Sequence, residues 1–436
     1  MDDDERKKAI KFLKNPEKWD MILKEMDRTY IGQDTGKMGM FIKFLQSYTP
    51  KYPQLQCVGA TSAGKTSLTE TVIDLFPDED TEWITEFSKT VLRREEELLD
   101  KRIIVISQEE GVGNKYHMQM VSRDDTRGVA LIFNNDKDDT EKMFLPKCTF
   151  ISMNVNYFLE DSQNNTRTEK IFLDESVEQN NDAGDFISNN LSMDLELRTS
   201  LGEVSESIAD LIVNSIRIYR EEILKTNIPY ARYIKENMDF SKQRAKRDLK
   251  SMAGGITAIT NYNRYDRDVM VLGDIVRLIA EPEDFELYLK YLESHQTQTY
   301  YETPEKFTEL VEMIKEMSEA SWFTDGWISA KKIIESSNES RANIQKKLKK
   351  LAEEFPYIER GDTYEYDEKT GNKIKDTDGN VIKNRGYSYK FVVDVPDSLF
   401  NERFEKYKMQ EAIDYYKEYL KSKGAVIMPY QKYIEI

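Results

Sequence analysis

The sequence predicts an α/β protein with a helical lid and a second, smaller domain toward its C-terminal end. Short apolar runs alternate with helical patterns between about residues 54 and 180, which is typical of a sheet covered by helices. A glycine-rich stretch joins the first of these runs to a helical pattern. Beyond residue 318, two helical patterns separated by a polar turn precede two strand-like segments, which predicts a separate small domain.

Composition favours a water-soluble protein of a reducing compartment. The 436 residues are 39% hydrophobic and 33% charged, and no apolar run approaches the roughly 20 residues of a membrane span. The N-terminus is acidic where a secretory signal would be basic and then apolar. Cys57 and Cys148, the two cysteines, both fall in predicted buried strands. We therefore expect no membrane contact and a cytoplasmic location.

Charge and histidine content exclude some classes of site. The two histidines, His117 and His295, are too few for a histidine-rich metal site or a histidine-based nucleophile triad. The net charge of −17 argues against a surface that is basic throughout. It does not exclude a local basic surface, because phosphate binding depends on clustered lysine and arginine.

The patterns divide the chain into five predicted parts. Their boundaries lie at proline and glycine turns and at residue 318, after which two helical patterns and two strand-like segments follow. In order, they are a helical segment over 1–50, an α/β core over 51–227, a helical lid over 228–300, the small domain over 305–395 and a helical tail over 396–436.

The glycine-rich stretch has the pattern of a phosphate-binding loop. Residues 59–66 read G-x-x-x-x-G-K-T, after the apolar run 55–58 and before the helical pattern of Leu68, Val72 and Leu75. A chance match in a surface loop would not bring both flanks with it. The residues predicted to bind the nucleotide here are Gly59, Ala60, Thr61, Ser62, Ala63, Gly64, Lys65, Thr66 and Ser67.

This loop predicts ATP and Mg²⁺ as cofactors. Its backbone N–H groups and the start of the following helix offer donors to phosphate. Lys65 is expected to reach the β- and γ-phosphates, and the Thr66 hydroxyl to occupy one Mg²⁺ position.

A second buried-strand run, 103–106, is followed by Ser107, Gln108, Glu109 and Glu110. A loop ATPase needs a carboxylate at such a strand end to hold Mg²⁺ and another to orient the attacking water. The usual Asp-Glu pair is replaced by Ser107-Gln108. Three interpretations stay open: the acids have moved to Glu109 and Glu110, the site is naturally weak, or Gln108 stands in place of a native glutamate.

Two further residues are candidates for the hydrolytic step. Asn154 ends the apolar strand 149–154, where an amide can position water or contact the γ-phosphate; an ordinary turn-forming asparagine is the alternative. Arg167 precedes the next strand, where it can act as an arginine finger on a neighbouring subunit's ATP, or simply be a solvated surface residue.

Together these residues resemble the AAA+ ATPases. The chain looks most like the helicase-type AAA+ proteins of plasmids and viruses, which are often linked to primases and related to the minichromosome-maintenance helicases. The resemblance covers residues from about 29 to 395 and rests on the loop, Asn154, Arg167 and Gly111 after the acidic pair. Ser107-Gln108 departs from the family pattern and leaves the hydrolytic residue undetermined.

The resemblance implies three further roles. Tyr30 and Ile31, in the segment Tyr30-Ile31-Gly32-Gln33, would pack on adenine. Asn154 would be sensor 1, and Arg247, in a lid that includes Ile228-Pro229-Tyr230, would be sensor 2 and touch phosphate.

The small domain predicts a winged helix with a basic second helix. Helix, turn, helix and a β-wing is the winged-helix arrangement. Residues 331–350 contain seven basic residues and two acidic ones, Glu335 and Glu339, which gives this stretch a net charge of +5. A solvated face or a protein-binding surface is the alternative to DNA contact. The residues predicted to contact DNA are Arg341, Lys346, Lys347, Lys349 and Lys350.

A hairpin is predicted over residues 128–146, just before the Asn154 strand. In the helicases that the chain resembles, such a hairpin points into the ring pore and grips a strand. Its tip is acidic here apart from Lys137, which weakens this prediction because gripping phosphate needs positive charge.

The resemblance therefore implies an ATP-driven DNA helicase or translocase that acts as a ring, expected to be a hexamer, in the replication of a plasmid or virus in a prokaryotic cell. Single-stranded DNA in the pore, duplex DNA at the winged helix and a primase or polymerase are the expected partners. Two alternatives stay open: an origin-binding initiator that ATP switches, and a protein remodeller whose winged helix binds protein.

Overall fold

The computed structural model describes most of the chain in two compact units. The described residues are 1–60, 62–84, 100–106, 129–134, 139–144, 148–154, 168–201, 207–240, 244–301, 305–320, 326–337, 340–354, 358–364, 373–376, 380–391, 398–400 and 403–435. The first unit comprises Met1–Met238, Lys246–Gln296 and Phe400–Ile436, and the second comprises Asp239–Ala245 and Thr297–Leu399.

Residues 1–50, predicted as a helical segment, form three helices at the start of the first unit. They are α1 (Asp3–Leu13), α2 (Lys18–Met26) and α3 (Asp34–Gln46). Asp2 and Glu5 form a capping box that satisfies free N–H groups at the start of α1. All residues of α3 from position 36 onward are buried, so this helix forms part of the core.

A five-stranded parallel sheet confirms the predicted α/β class. The strands of this part of the chain are β1 (Leu55–Val58), β2 (Thr81–Ile84), β3 (Ile103–Ile106), β4 (Val129–Asn134), β5 (Asp139–Phe144), β6 (Thr149–Asn154) and β7 (Glu169–Phe172). The sheet order is β2-β3-β6-β1-β7, and each neighbouring pair is parallel. Cys57 and Cys148 are buried, as predicted; Cys57 lies in β1, whereas Cys148 directly precedes β6 and is not part of a strand.

Two features of this region bear on the sequence prediction. The edge strand β2 was not predicted, since its residues are only half-buried and two of its four side chains are polar. The hairpin predicted over 128–146 is present as the antiparallel pair β4–β5, from Val129 opposite Phe144 to Asn134 opposite Asp139. Lys137, at its tip, lies outside the described residues.

Helices connect this sheet to the rest of the first unit. They are α4 (Lys65–Ile73), α5 (Val177–Ser192), α6 (Leu195–Ser200), α7 (Ala209–Glu221), α8 (Ala231–Asn237), α9 (Ala245–Tyr262) and α10 (Pro282–Tyr301). The buried Arg264 guanidinium donates to the carbonyls of Ile218, Tyr219 and Glu222, at 2.7–3.1 Å. A cation at a helix C-terminus satisfies its free carbonyls, so Arg264 fixes the end of α7.

The prediction that residues 228–300 form a wholly helical lid is wrong for one stretch. The hairpin of β9 (Asp268–Leu272) and β10 (Ile275–Ile279) lies within it, joined by Gly273 in the left-handed region and Asp274. Together with β8 (Thr226–Asn227) these strands form a second sheet. A Gly-Asp pair between two apolar runs is typical of a β-hairpin, so the hairpin of β9 and β10 could have been predicted from the sequence.

A buried ion pair holds this hairpin to α10. The fully buried Asp284 carboxylate accepts two hydrogen bonds from Arg267, at 2.7 and 2.9 Å. Thr260 and Asn263 donate to the same carboxylate at 3.0 and 2.9 Å. Because several donors share the charge, the cost of burying it is offset by hydrogen bonds.

The C-terminal segment returns to the first unit. It contains α14 (Lys406–Ser422), β14 (Val426–Pro429) and α15 (Tyr430–Tyr433). Strand β14 pairs antiparallel with β9, so the sheet order is β14-β9-β10-β8. Lys417 on α14 bonds Asp268 at 2.9 Å and Glu281 at 3.2 Å. The predicted helical tail over 396–436 is therefore corrected to a helix and an edge strand that complete the first unit.

The second unit has the two helices and two following strands predicted within residues 305–395, and also a two-residue strand, β11 (Ile328–Ser329), that the sequence did not predict. It contains α11 (Glu305–Ala320), β11 (Ile328–Ser329), α12 (Ala330–Ser336), α13 (Arg341–Glu354), β12 (Ile358–Tyr364) and β13 (Lys383–Phe391). The sheet order is β11-β13-β12 with antiparallel pairs. The core of this unit is formed by Leu310, Ile314, Ile328, Ile333, Ile344, Leu348, Leu351, Ile358 and Tyr389. Among the helices that the structure describes, none has the length and apolar character to cross a membrane.

His295 gives the first unit a pH-dependent stability. Its imidazole is buried, and Nδ1 accepts a hydrogen bond from the Phe172 N–H of β7 at 3.2 Å. Burial lowers the pKa of His295 from 6.5 to about 4. As the pH falls below 6.5, the unfolded chain takes up a proton that the folded chain does not bind until about pH 4. Stability is therefore lost over that window.

We expect this group to account for about 3 kcal/mol of the unfolding free energy lost between pH 6.5 and 4. Urea denaturation of the wild type and of His295→Gln across this range measures it. The variant should show a shallower decline, and equal slopes for the two proteins would contradict the assignment.

Candidate functional site

The glycine-rich loop connects the carboxyl end of β1 to the first residue of α4. Ser62 and Gly64 both have positive φ, at 67° and 88°, so the chain turns sharply just before Lys65. A Cβ on Gly64 would lie only 2.5 Å from the Tyr30 hydroxyl. Glycine at 64 is thus required both by the backbone conformation and by the close approach of Tyr30. Thr61 lies outside the described residues.

Lys65 and Thr66 lie in the first turn of α4. The Lys65 ammonium donates to the carbonyl oxygens of Gly59 at 2.8 Å and Ala60 at 2.7 Å. Thr66 is exposed, and its hydroxyl lies 3.5 Å from the Met153 sulfur. An exposed hydroxyl oxygen at this position is a suitable ligand for Mg²⁺, which prefers oxygen donors.

The sheet brings the other candidate positions to the edge where the loop lies. Because the strands are parallel, their carboxyl ends meet at one edge. Val58 is in register with Asn154, so the end of β6 adjoins the start of the loop. On the other side of β6, Ile106 of β3 pairs with Ser152. Four residues predicted to take part in hydrolysis lie outside the described residues: Gln108, Glu109, Glu110 and Arg167. The backbone of Asn154 is described, but its side chain is not.

Tyr30 is held beside the loop by a buried lysine. The Lys37 ammonium, fully buried, donates to the Tyr30 carbonyl at 3.1 Å and pairs with Asp27. Burial raises the pKa of the Tyr30 hydroxyl. The predicted adenine-side segment is therefore fixed at one end against Gly64.

Hydrogen bonds fix the other end of this segment to the residues after β7. The Gln33 side chain donates to the Asp174 carbonyl at 2.6 Å and accepts from the Asp174 N–H at 2.8 Å. Gln179, in the first turn of α5, donates to the Ile31 carbonyl at 3.2 Å. A Cβ on Gly32 would lie 2.1 Å from the Gln179 side chain. The segment 30–33 is thus tied to both the loop side and the α5 side of the site.

Glu175 was not predicted as a site residue. Its carboxylate accepts a hydrogen bond from the Ala60 N–H of the loop. It follows the short strand β7, at the carboxyl edge of the sheet. The rule that acids at the carboxyl ends of strands mark a site was applied to β3, and it would have found Glu175 after β7.

Arg247 lies in the first turn of α9 and is half-buried. Four residues along the same helix, Ser251 bonds the Glu169 carboxylate, which also pairs with Lys43 at 2.5 Å. Glu169 is in register with Leu55, at the amino end of the sheet and opposite the loop. The described contacts therefore anchor this helix away from the loop edge, and the sensor 2 role of Arg247 stays a prediction.

The predicted DNA-binding residues lie on α13 of the second unit. Ile344, Leu348 and Leu351 bury one face of this helix in the core. Arg341, Lys346 and Lys349 are exposed, and Lys347 is half-buried. The side chain of Lys350 lies outside the described residues. The lysines thus spread around the helix, with at least part of the cluster facing solvent.

Comparison with known proteins adds no assignment. A scan against protein-family models finds no match to this chain, and a search of curated proteins finds no significant one.

Proposed function

We propose that this chain binds ATP with Mg²⁺ at the glycine-rich loop and hydrolyses it. One observation carries the proposal: the positive φ angles at Ser62 and Gly64 turn the chain so that Lys65 begins a helix shortly after the end of the inner parallel strand β1. Loop amides and a helix N-terminus at such a strand end form a site for phosphate. Lys65 and Thr66 would hold the phosphates and the metal ion.

The surroundings of the loop support an adenine nucleotide. Tyr30 approaches Gly64 closely and is held there by Lys37, and the segment to Gln33 is fixed by Asp174. An aromatic side chain held rigidly beside a phosphate loop offers a flat surface for a base. This arrangement favours a nucleoside triphosphate over inorganic phosphate as the ligand.

We further assign the first unit to the AAA+ type and the second to the winged-helix type. Support comes from the place of β1 inside the sheet, between β6 and the edge strand β7, and from the three-stranded antiparallel sheet of the second unit, which packs with two consecutive helices. On this basis the chain would be a DNA helicase or translocase that acts as a ring, with a hexamer as the proposed state.

The exposed basic residues of α13 support DNA as the partner, and they give a testable prediction. Replacing Lys346, Lys347, Lys349 and Lys350 with Glu should weaken duplex binding and flatten its salt dependence. Each lost phosphate contact removes roughly 0.9 from the slope of log K against log salt. Fluorescence anisotropy at several salt concentrations measures this, while ATPase activity without DNA should persist.

A matched control keeps the charge change but moves it off α13. Replacing Lys7, Lys8, Lys11 and Lys14 with Glu makes the same change in net charge; these lysines are exposed, three on α1 and Lys14 at its C-terminal cap. If both quadruple variants lose DNA binding equally, the effect comes from total charge. If the α13 variant keeps its affinity and slope, the second unit does not bind DNA.

Native mass measured in ATP separates the motor from the initiator. A hexamer supports the ring helicase or translocase. A monomer or dimer supports an ATP-switched, DNA-bound initiator.

A further inference from the structure

Glu175 places a negative charge on the loop proposed to bind phosphate. Its carboxylate accepts a hydrogen bond from the Ala60 N–H, and a Cβ on Gly59 would lie 3.1 Å from the same carboxylate oxygen. Glu175 therefore lies against the first two residues of the loop. A carboxylate is an anion that accepts hydrogen bonds from N–H groups as a phosphate oxygen does.

The peptide unit that Glu175 holds is also held by Lys65. The Ala60 carbonyl accepts from the Lys65 ammonium at 2.7 Å, and the Gly59 carbonyl does so at 2.8 Å. The Glu175 carboxylate therefore contacts the Ala60 N–H, and the Lys65 ammonium contacts the Ala60 carbonyl, so groups of opposite charge hold this residue on both sides. Two of the three donors of the lysine are directed to loop carbonyls in this arrangement, so they are not available to a phosphate.

The backbone of Glu175 is fixed, which keeps its side chain at the loop. On one side, Asp174 exchanges two hydrogen bonds with Gln33. On the other, Ser176 caps the first turn of α5, and the Asn180 side chain donates to the Glu175 carbonyl at 3.3 Å. The contact with Ala60 is thus built by ordered neighbours on both sides.

We infer that Glu175 sets the affinity of the loop for polyphosphate by opposing it. This inference rests on the proposed function. The carboxylate and Lys65 together stabilise a loop conformation in which the lysine points to carbonyls, and the like charge of Glu175 repels the incoming phosphates. ATP then binds only the fraction of molecules that has released this contact, and the apparent affinity is reduced by that fraction.

The test is an ATP–Mg²⁺ titration, by fluorescence of a labelled ATP, of the wild type and three variants. Glu175→Ala removes both the charge and the hydrogen bond. Glu175→Gln removes the charge and keeps an acceptor. Glu178→Ala is the matched control, since this glutamate is also exposed and lies three residues along in α5.

Glu175→Ala should lower the apparent Kd about tenfold, which corresponds to about one wild-type molecule in ten having a released loop. Glu175→Gln should also bind more tightly than the wild type, because charge repulsion is removed, and Glu178→Ala should not change. Unchanged or weaker binding by Glu175→Ala, with ATP still bound by the wild type, would overturn the inference and leave the proposed function intact. Failure of the wild type and all variants to bind ATP would instead overturn the proposed function.

Discussion

Replacing Lys65 with Ala is expected to abolish ATP binding or nearly so, with a loss of affinity of about 100-fold or more, or at least ~2.7 kcal/mol. The triphosphate carries several negative charges that backbone N–H groups of the loop neutralise only in part. The ammonium at the first residue of α4 is the one cation that the described part of the loop offers. A labelled-ATP titration measures the effect.

The substitution should leave the fold intact, because alanine is the best helix former and Lys65 is only half-buried. Lys24→Ala, which changes an exposed lysine of α2, controls for the loss of one positive charge. Tight ATP binding by a folded Lys65→Ala protein would remove the phosphate-loop assignment.

Replacing Gln108 with Glu is expected to raise kcat for ATP hydrolysis by about 100-fold or more, with little change in nucleotide affinity. A glutamine amide can hold the attacking water but cannot accept its proton, whereas a carboxylate does both. The position follows β3, whose end lies two strands from the loop strand β1. Steady-state ATPase assays at saturating ATP measure kcat, and a titration measures the affinity.

Two further variants decide which acid acts. If Gln108→Glu is silent while Glu109→Gln or Glu110→Gln abolishes hydrolysis, the catalytic carboxylate lies one or two residues further along the chain. If all three changes leave a slow rate unaltered, the site is naturally weak and the chain acts as an ATP-bound switch.

Local patterns explain what the sequence predicted well. The strands β1, β3 and β6 are short apolar runs. Such a run predicts a strand buried on both faces even when the neighbouring strands are not known. The loop is a contiguous motif, and its flanks are strand and helix as predicted. The two helices and two strands of the second unit follow one another along the chain, so their order was also visible.

Features that depend on distant partners were missed. Strand β14 is a strand because Val426 to Pro429 pair with β9, about 160 residues earlier, and nothing local distinguishes it from the end of a helical tail. Glu175 acts on Ala60, 115 residues away, and only the parallel sheet brings them together. Nothing in the sequence pattern distinguishes Lys37 from the exposed lysines of other helices. In the structure it is fully buried and positions Tyr30.

We propose that ATP hydrolysis at the glycine-rich loop drives movement on DNA. The most direct test measures ATP hydrolysis and strand unwinding together on a forked duplex, for Gln108→Glu and for the same protein carrying Lys65→Ala. We expect the Gln108→Glu protein to hydrolyse ATP faster when DNA is present and to separate the strands. Adding Lys65→Ala should abolish both the hydrolysis and the strand separation. Rapid hydrolysis that DNA does not stimulate, without strand separation, would contradict it.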